Sequence, residues 1–176
     1  MTECWLISDN HFHHANILTF LDYEGKVMRS FADVNHMNDY MVDRWNSVVK
    51  PGDKVYHLGD VVMGDSAERM QIIGRLNGTK TLILGNHDTP NMNRYRGYFQ
   101  RVYSSRMLDK LLLSHIPVHP MSLGKARANV FGHVHNNITP GQYGPQYYNI
   151  SAEVINYTPI NLTELNQRID KQLEAK

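Results

Sequence analysis

The chain carries a single cysteine, Cys4, among its 176 residues. No intrachain disulfide can form, so nothing in the sequence points to an oxidising compartment. It has no apolar run long enough to cross a bilayer. It also lacks the basic start and apolar stretch of a signal peptide. Charge of one sign is not in excess either: Lys+Arg number 18 and Asp+Glu 17, a formal net charge of +1. That balance argues against a nucleic-acid coat or an acidic tail as the main business of the chain, while leaving room for a local basic pocket. Internal repeats, linkers and low-complexity tracts are missing, as are a Walker-type phosphate loop and a base-deaminase signature. One domain spanning 1–176, cytoplasmic by default, is the expectation.

Histidine, by contrast, is plentiful, with 10 copies. Several stand beside Asp, Asn or Gly in short loop-like segments, the company of a metal ligand or acid–base group. The apolar pattern around these segments alternates strands with helices. Residues 3–8 read as a buried strand. Residues 32–49 carry Val34, Met37, Met41, Trp45 and Val48 at helical spacing, with Asp33 near the start and Pro51-Gly52-Asp53 as the stop. A second strand follows at 54–58. A helix at 66–76 has Ser66 as N-cap, and Asn77-Gly78 ends it. A third strand covers 81–84, and a short helix is expected within 91–99. Later strands are expected around 107–113, at 129–131, at 147–150 and at 154–157, with a final helix from about Thr163 to Leu173. Alternation up to residue 84 indicates an α/β domain, and the strand-dense second half either a second sheet or a mixed continuation of the first.

Five of the apolar runs end in metal-competent residues: Asp9-Asn10-His11, Gly59-Asp60, Gly85-Asn86-His87-Asp88, Ser114-His115 and Gly132-His133-Val134-His135. In open α/β sheets, ligands collect beyond the carboxyl ends of the strands, where residues remote in sequence converge. Asp9 and His11 are alternate residues, so an extended backbone would point both to one side. His133 and His135 share that spacing, although a turned loop would send them to adjacent ions. Gly59, Gly85 and Gly132 each precede a candidate ligand, where a missing Cβ permits a sharp turn or a close approach. A nitrogen-plus-oxygen donor set without thiolate suits Mn²⁺, Fe, Zn²⁺, Co²⁺ or Ni²⁺.

In this order the five blocks resemble the calcineurin-like metallophosphoesterase superfamily: Asp-x-His, Gly-Asp, Gly-Asn-His-Asp, His, Gly-His-x-His. They run from residue 9 to residue 135, about three quarters of the chain. The Ser8-Asp9-Asn10-His11-Phe12 and His57-Leu58-Gly59-Asp60 contexts look like compact bacterial and bacteriophage members, whose home is the bacterial or host cytoplasm. The resemblance implies a four-layer α/β/β/α sandwich of two mixed sheets with helices outside. It implies two divalent ions, Mn²⁺ favoured: Asp9, His11 and His135 at one, Asn86, His115 and His133 at the other, Asp60 bridging. It implies His87 as a proton donor or charge stabiliser at the leaving group, oriented by Asp88. The implied activity is hydrolysis of small phosphodiesters, with no obligate nucleic-acid or membrane partner. Phosphomonoesterase or nuclease activity at the same site is the alternative, and a non-catalytic metal-dependent scaffold the more remote one.

Other residues are open. His14, in the loop after the first block, is a substrate-contact candidate. Arg127 could clamp a phosphate in a bidentate way. His57 reads as an imidazole packed in the core or supporting a ligand, and His36 as surface; His13 is either a substrate contact or an exposed loop residue, and His119 either lines the pocket or sits in a rigid Pro-framed loop. Tyr143, Tyr147 and Tyr148 either stack a base or fill space between sheets. Trp5, Trp45 and the helix methionines read as core.

Overall fold

The computed structural model describes residues 2–89 and 92–175. The chain opens with β1 (Cys4–Ile7), a 3₁₀ turn at Ala15–Thr19, α1 (Val34–Val48), β2 (Lys54–His57), α2 (Ala67–Gly74), β3 (Thr79–Ile83), α3 (Met92–Tyr95) and β4 (Arg101–Tyr103). It continues through β5 (Ser105–Leu108), β6 (Leu111–Ser114), a 3₁₀ turn at Pro120–Ser122, β7 (Ala128–Phe131), β8 (Tyr147–Asn149), β9 (Ile160–Asn161) and α4 (Leu162–Glu174).

Two mixed sheets result. The first has the order β4-β3-β2-β1-β9 and the second β5-β6-β7-β8. Strands β1 to β4 run parallel and β9 antiparallel at the edge. In the second sheet β6, β7 and β8 are parallel, and only β5 is antiparallel. The molecule is an α/β sandwich of two mixed sheets with helices.

Strand alternation explains the two cores. From the first sheet, Ile7, Val55 and Leu82 point outward to Met41 and Trp45 of α1 and Met70 and Ile73 of α2. Their strand neighbours Leu6, Leu58 and Ile83 point inward to Leu111, Leu113 and Val130 of the second sheet, where Leu165 and Ile169 of α4 also pack. Burying one of these larger side chains stabilises by roughly 1.5–3 kcal/mol; the inner core fixes the two sheets against each other and the outer one fixes α1 and α2 on the first sheet. Asp33 caps α1, accepting hydrogen bonds from the amides of Asn35 and His36 at 2.8 Å each. Ser66 caps α2 through Arg69 N at 3.2 Å.

The expected strand at 154–157 is absent. The segment turns, with Asn156 and Tyr157 at φ 52° and 55° and Tyr157 N donating to Ala152 O at 2.6 Å. Its apolar residues mimic a strand because Ile155 packs against both cores at once. Strands β4 and β9 were not anticipated, since three and two residues carry almost no alternation signal. Among the described residues no helix is long and apolar enough to cross a membrane.

Candidate metal centre

Each candidate block leaves the carboxyl end of a parallel strand: Asp9 and His11 after β1, Asp60 after β2, Asn86 after β3, His115 after β6, His133 and His135 after β7. The two sheets are joined at this end by a parallel bridge between Ser8 and Ser151. The blocks therefore meet over the seam of the sandwich.

The backbone is not extended there. Asp9, His11, Asp60, His133 and His135 all have positive φ, 59°, 49°, 57°, 68° and 54°. A left-handed residue without glycine is uncommon and costs roughly 1–2 kcal/mol, so the surroundings hold these five in place. The expectation that Asp9 and His11 share a side through extended geometry is corrected: successive tight turns bring them together. The same turns separate His133 from His135.

Two groups of donor atoms result, each within 4.8 Å of one another: Asp9, His11 and His135, and Asp60, His115 and His133. Asp60 stands between them, its Oδ2 3.5 Å from His11 Nε2 and 3.4 Å from His115 Nε2. Asn86 Oδ1 lies 3.0 Å from His115 Nε2. His87 is half-exposed at the mouth, its Nε2 3.9 Å from Asp60 Oδ2 and its ring 5.4 Å from that of His11. The ring of His14 is 5.6 Å from that of His11, which puts His14 on the rim of the centre.

Buried Asp9 Oδ1 and both ring nitrogens of His11 have no hydrogen-bond partner. Buried polar atoms are satisfied in the great majority of cases, and an unmet one asks for an explanation such as strain, a catalytic role, a water or an ion. The remaining atoms are committed. Asp9 Oδ2 accepts from His133 N at 2.9 Å and Ser151 Oγ at 3.2 Å. Asp60 Oδ1 accepts from His87 N at 2.9 Å. His115 Nδ1 lies 2.7 Å from Leu58 O, which turns Nε2 inward. His135 Nδ1 lies 3.0 Å from Glu153 Oε1, again leaving Nε2 for the centre. Carbonyl or carboxylate partners behind an imidazole are the usual support of a metal-bound histidine. Two glycines make room: a Cβ on Gly85 would fall 2.2 Å from Asp60 Oδ1, and one on Gly132 2.1 Å from Asp9 Oδ2. A divalent ion of the nitrogen-and-oxygen type fits this donor set.

The charges are mutually supporting. Burial alone would raise the Asp9 carboxyl, but His11, His135 and His115 outweigh it and hold it well below the usual range. Burial is likewise overcome at Asp60 by His115 and His11, which keep it ionised. His115 is pushed up to about 9, because Asp60 and Asp9 outweigh the burial that would lower it. Burial lowers His11 despite Asp9. It also brings His14 down to about 4, helped by His11 and His87.

Asp88 does not orient His87. Its Oδ2 accepts from Asp60 N and Gly85 N at 2.8 Å, and its Oδ1 from Val61 N at 3.0 Å and the Tyr95 hydroxyl at 2.8 Å. Fully buried, it ties the loop after β2 to the loop after β3. Burial raises its pKa despite those donors. Arg127 is also displaced from its expected role. It sits just before β7 and pairs with Asp170 and Asn166 of α4. The four residues of β7, roughly 13 Å at strand rise, lie between it and the Gly132-His133 turn, so nearness in sequence put it at the wrong end of the strand.

No role for Arg29 or Glu153 follows from the sequence. Both are almost wholly buried, and Arg29 Nε meets Glu153 Oε1 at 2.5 Å. The same guanidinium donates to Asp9 O at 2.5 Å and Asn10 O at 2.7 Å. Burial would raise the Glu153 carboxyl, but Arg29 and His135 hold it at about 2. Glu153 follows β8 as Asp9 follows β1, and that repeated strand-end position was the available signal. His57 is packed as expected, bonded to Asn10 Oδ1 at 2.8 Å and stacked on Trp45. His36 and His119 are exposed, and His13 pairs with Asn38. Tyr143 and Tyr147 pack on Phe131 rather than over the centre, and Tyr148 joins the inter-sheet core.

No family model matches the chain. The uncharacterized protein MJ1445 of Methanocaldococcus jannaschii is 32% identical over 184 residues, covering 97% of this chain and 93% of that protein. The chain belongs to the MJ1445 family. The gene 66 protein of Mycobacterium phage L5 is 34% identical over 99 residues, 53% of this chain and 44% of the phage protein. The crystal structure of AQ665 from Aquifex aeolicus, a protein of unknown function, superposes with a TM-score of 0.75 at 25% identity, covering 95% of this chain and 99% of AQ665. The sandwich of the MJ1445 relative described here is thus a fold also seen in a crystal.

Proposed function

We propose that this protein is a dinuclear metal-dependent phosphoesterase of the calcineurin-like type, acting on small phosphodiesters, with Mn²⁺ as the favoured ion. One observation carries the reading: two groups of ligand-competent atoms flank Asp60, and the atoms facing the gap include buried ones with no partner in the protein. Asp9, His11 and His135 would hold one ion, His115, His133 and Asn86 the other, and Asp60 both. When bound, a pair of such ions supplies an activated water and neutralises charge on a phosphoryl group.

The chain's own residues do the rest. Asp60 is held by the Asp88 clamp through its backbone amide, so its carboxylate stays aimed between the two histidine groups. Glu153 and Leu58 O fix the rings of His135 and His115. His87, half-exposed beside Asp60, is placed to give a proton to the departing ester oxygen. His14 on the rim can touch the ester's substituent. His87 and His133 are both exposed at the mouth, which leaves room for leaving groups of varied size.

The test is turnover of bis(p-nitrophenyl) phosphate beside p-nitrophenyl phosphate, using protein stripped of metal and reloaded with Mn²⁺. Mn²⁺-dependent hydrolysis dominated by the diester is expected, with a loss of at least about 100-fold in Asp60→Asn, in line with removal of a group central to charge stabilisation. Dominant monoester turnover would reverse the substrate class. Full activity in metal-loaded Asp60→Asn would sink the assignment of Asp60.

A further inference from the structure

The opposite end of the first sheet holds a second cluster of charge. Lys54, Thr79 and Arg101 begin β2, β3 and β4. Lys54 pairs with Thr79 across the sheet, Tyr56 with Thr81, and Thr81 with Arg101. By strand alternation these side chains lie on the same inward face as Leu6, Leu58 and Ile83. That face is wholly apolar under the metal-competent loops. At its other end it turns to hydroxyls and cations.

These residues line a cavity of about 370 Å³, with Arg106 of β5 closing it from the second sheet. That volume is within the range of small-ligand sites, about 300–1,000 Å³. The Arg106 guanidinium lies over the Tyr103 ring at 4.7 Å, which fixes its plane. Its Nε is buried and has no hydrogen-bond partner. Among the described residues, Lys54, Arg101 and Arg106 enter no ion pair, and no carboxylate lines the cavity. The chain as a whole has nearly as many acids as bases, so three unanswered cations around one cavity are a local concentration that repels itself unless an anion is present.

We propose that this cavity binds the dianionic phosphate group of a small molecule. Two guanidiniums supply paired, planar donors and Lys54 a point charge. The hydroxyls of Thr79, Thr81 and Tyr56 add neutral donors on the same face. The groups stand on strands, so little ordering is needed on binding. Free phosphate and a phosphomonoester such as a nucleotide share this chemistry, and the rings of Tyr56 and Tyr103 would favour the second. The site is independent of the phosphoesterase reading.

The experiment is a titration of ¹⁵N-labelled full-length protein, without added metal, with inorganic phosphate and separately with adenosine 5′-monophosphate. Potassium chloride at matched ionic strength is the control. Saturable amide shifts at Thr79–Thr81 and Arg101–Arg106 are expected with both probes and absent with chloride. Tighter binding of the nucleotide assigns the phosphomonoester as ligand, and equal binding assigns phosphate alone. Arg101→Gln combined with Arg106→Gln should weaken binding at least about tenfold while amides elsewhere keep their positions. Should that pair perturb the fold, Lys54→Gln at its exposed position gives the same reading. Shifts that fail to saturate, that chloride reproduces, that survive the substitutions, or that stay confined to residues 9–14, 85–89 and 133–135 would overturn the proposal.

Discussion

At the scale of single residues, Asp88 illustrates how much of the candidate centre depends on a group that faces away from it. Three backbone amides and a phenol converge on one buried carboxylate. Asparagine would present an amide hydrogen to at least one of those donors and leave it unmet, at a cost of about 1–3 kcal/mol per group. Asp88→Asn is therefore expected to lower stability by roughly 2–4 kcal/mol, read by urea unfolding, and to reduce Mn²⁺-supported diester turnover through misplaced Asp60. Wild-type stability in this variant would remove Asp88 from the scaffold of the centre. The residues nearest the gap were legible in the sequence, because Gly-Asn-His-Asp and Gly-His-x-His need few neighbours to be recognised. Arg29 and Glu153 were not. An ion pair between partners 124 positions apart has no local pattern, and Arg29 sits at the end of a polar loop that reads as surface.

At the scale of elements, the strand ends were legible and the turns between them were not. Five apolar runs stop where the ligand blocks begin, because a buried parallel strand carries a nearly continuous apolar stretch. The hairpin between β5 and β6 shows the limit. Its turn residues Asp109 and Lys110 both have positive φ, 48° and 61°, as a two-residue turn of the I′ kind requires. The usual signal there is a glycine, and this chain has lysine. Lys110→Gly should relieve that strain and stabilise the protein by about 1 kcal/mol, visible as a rise of roughly 2–4 °C in Tm for a chain of this size. An unchanged or lower Tm would mean that the β5–β6 ladder already absorbs the conformation without cost. The four turning residues after Glu153 misled for the opposite reason: Ile155 and Tyr157 do alternate with exposed Val154 and Asn156, but Ile155 reaches both cores from a turn rather than one face of a strand.

At the scale of the whole molecule, the sheets meet where the unpartnered atoms of Asp9 and His11 lie. Ligand binding there adds directly to folding stability, by about 2.7 kcal/mol per site at a hundredfold excess over Kd. Scanning fluorimetry of the metal-free protein with and without Mn²⁺ is thus expected to show Tm rising by roughly 5–10 °C for each ion bound, with less than half of the total rise in Asp60→Asn. An identical Tm in both conditions would argue against occupancy of the gap. The two-sheet architecture itself was only half legible: alternation predicted α/β, and the pairing of a second sheet needed the resemblance, since contacts between sheets leave no periodic trace. The division of the donors between those sheets has a consequence for how the protein is made. Asp9, His11, Asp60 and Asn86 belong to the first sheet, while His115, His133, His135 and finally Glu153 come with the second. A ribosome that has delivered β1 to β4 has delivered Asp9 and His11 of one donor group but only Asp60 of the other, and Glu153, which orients His135, follows both groups in the chain. The donor set is therefore complete only once the second sheet has been delivered, in the same step that brings the two sheets together.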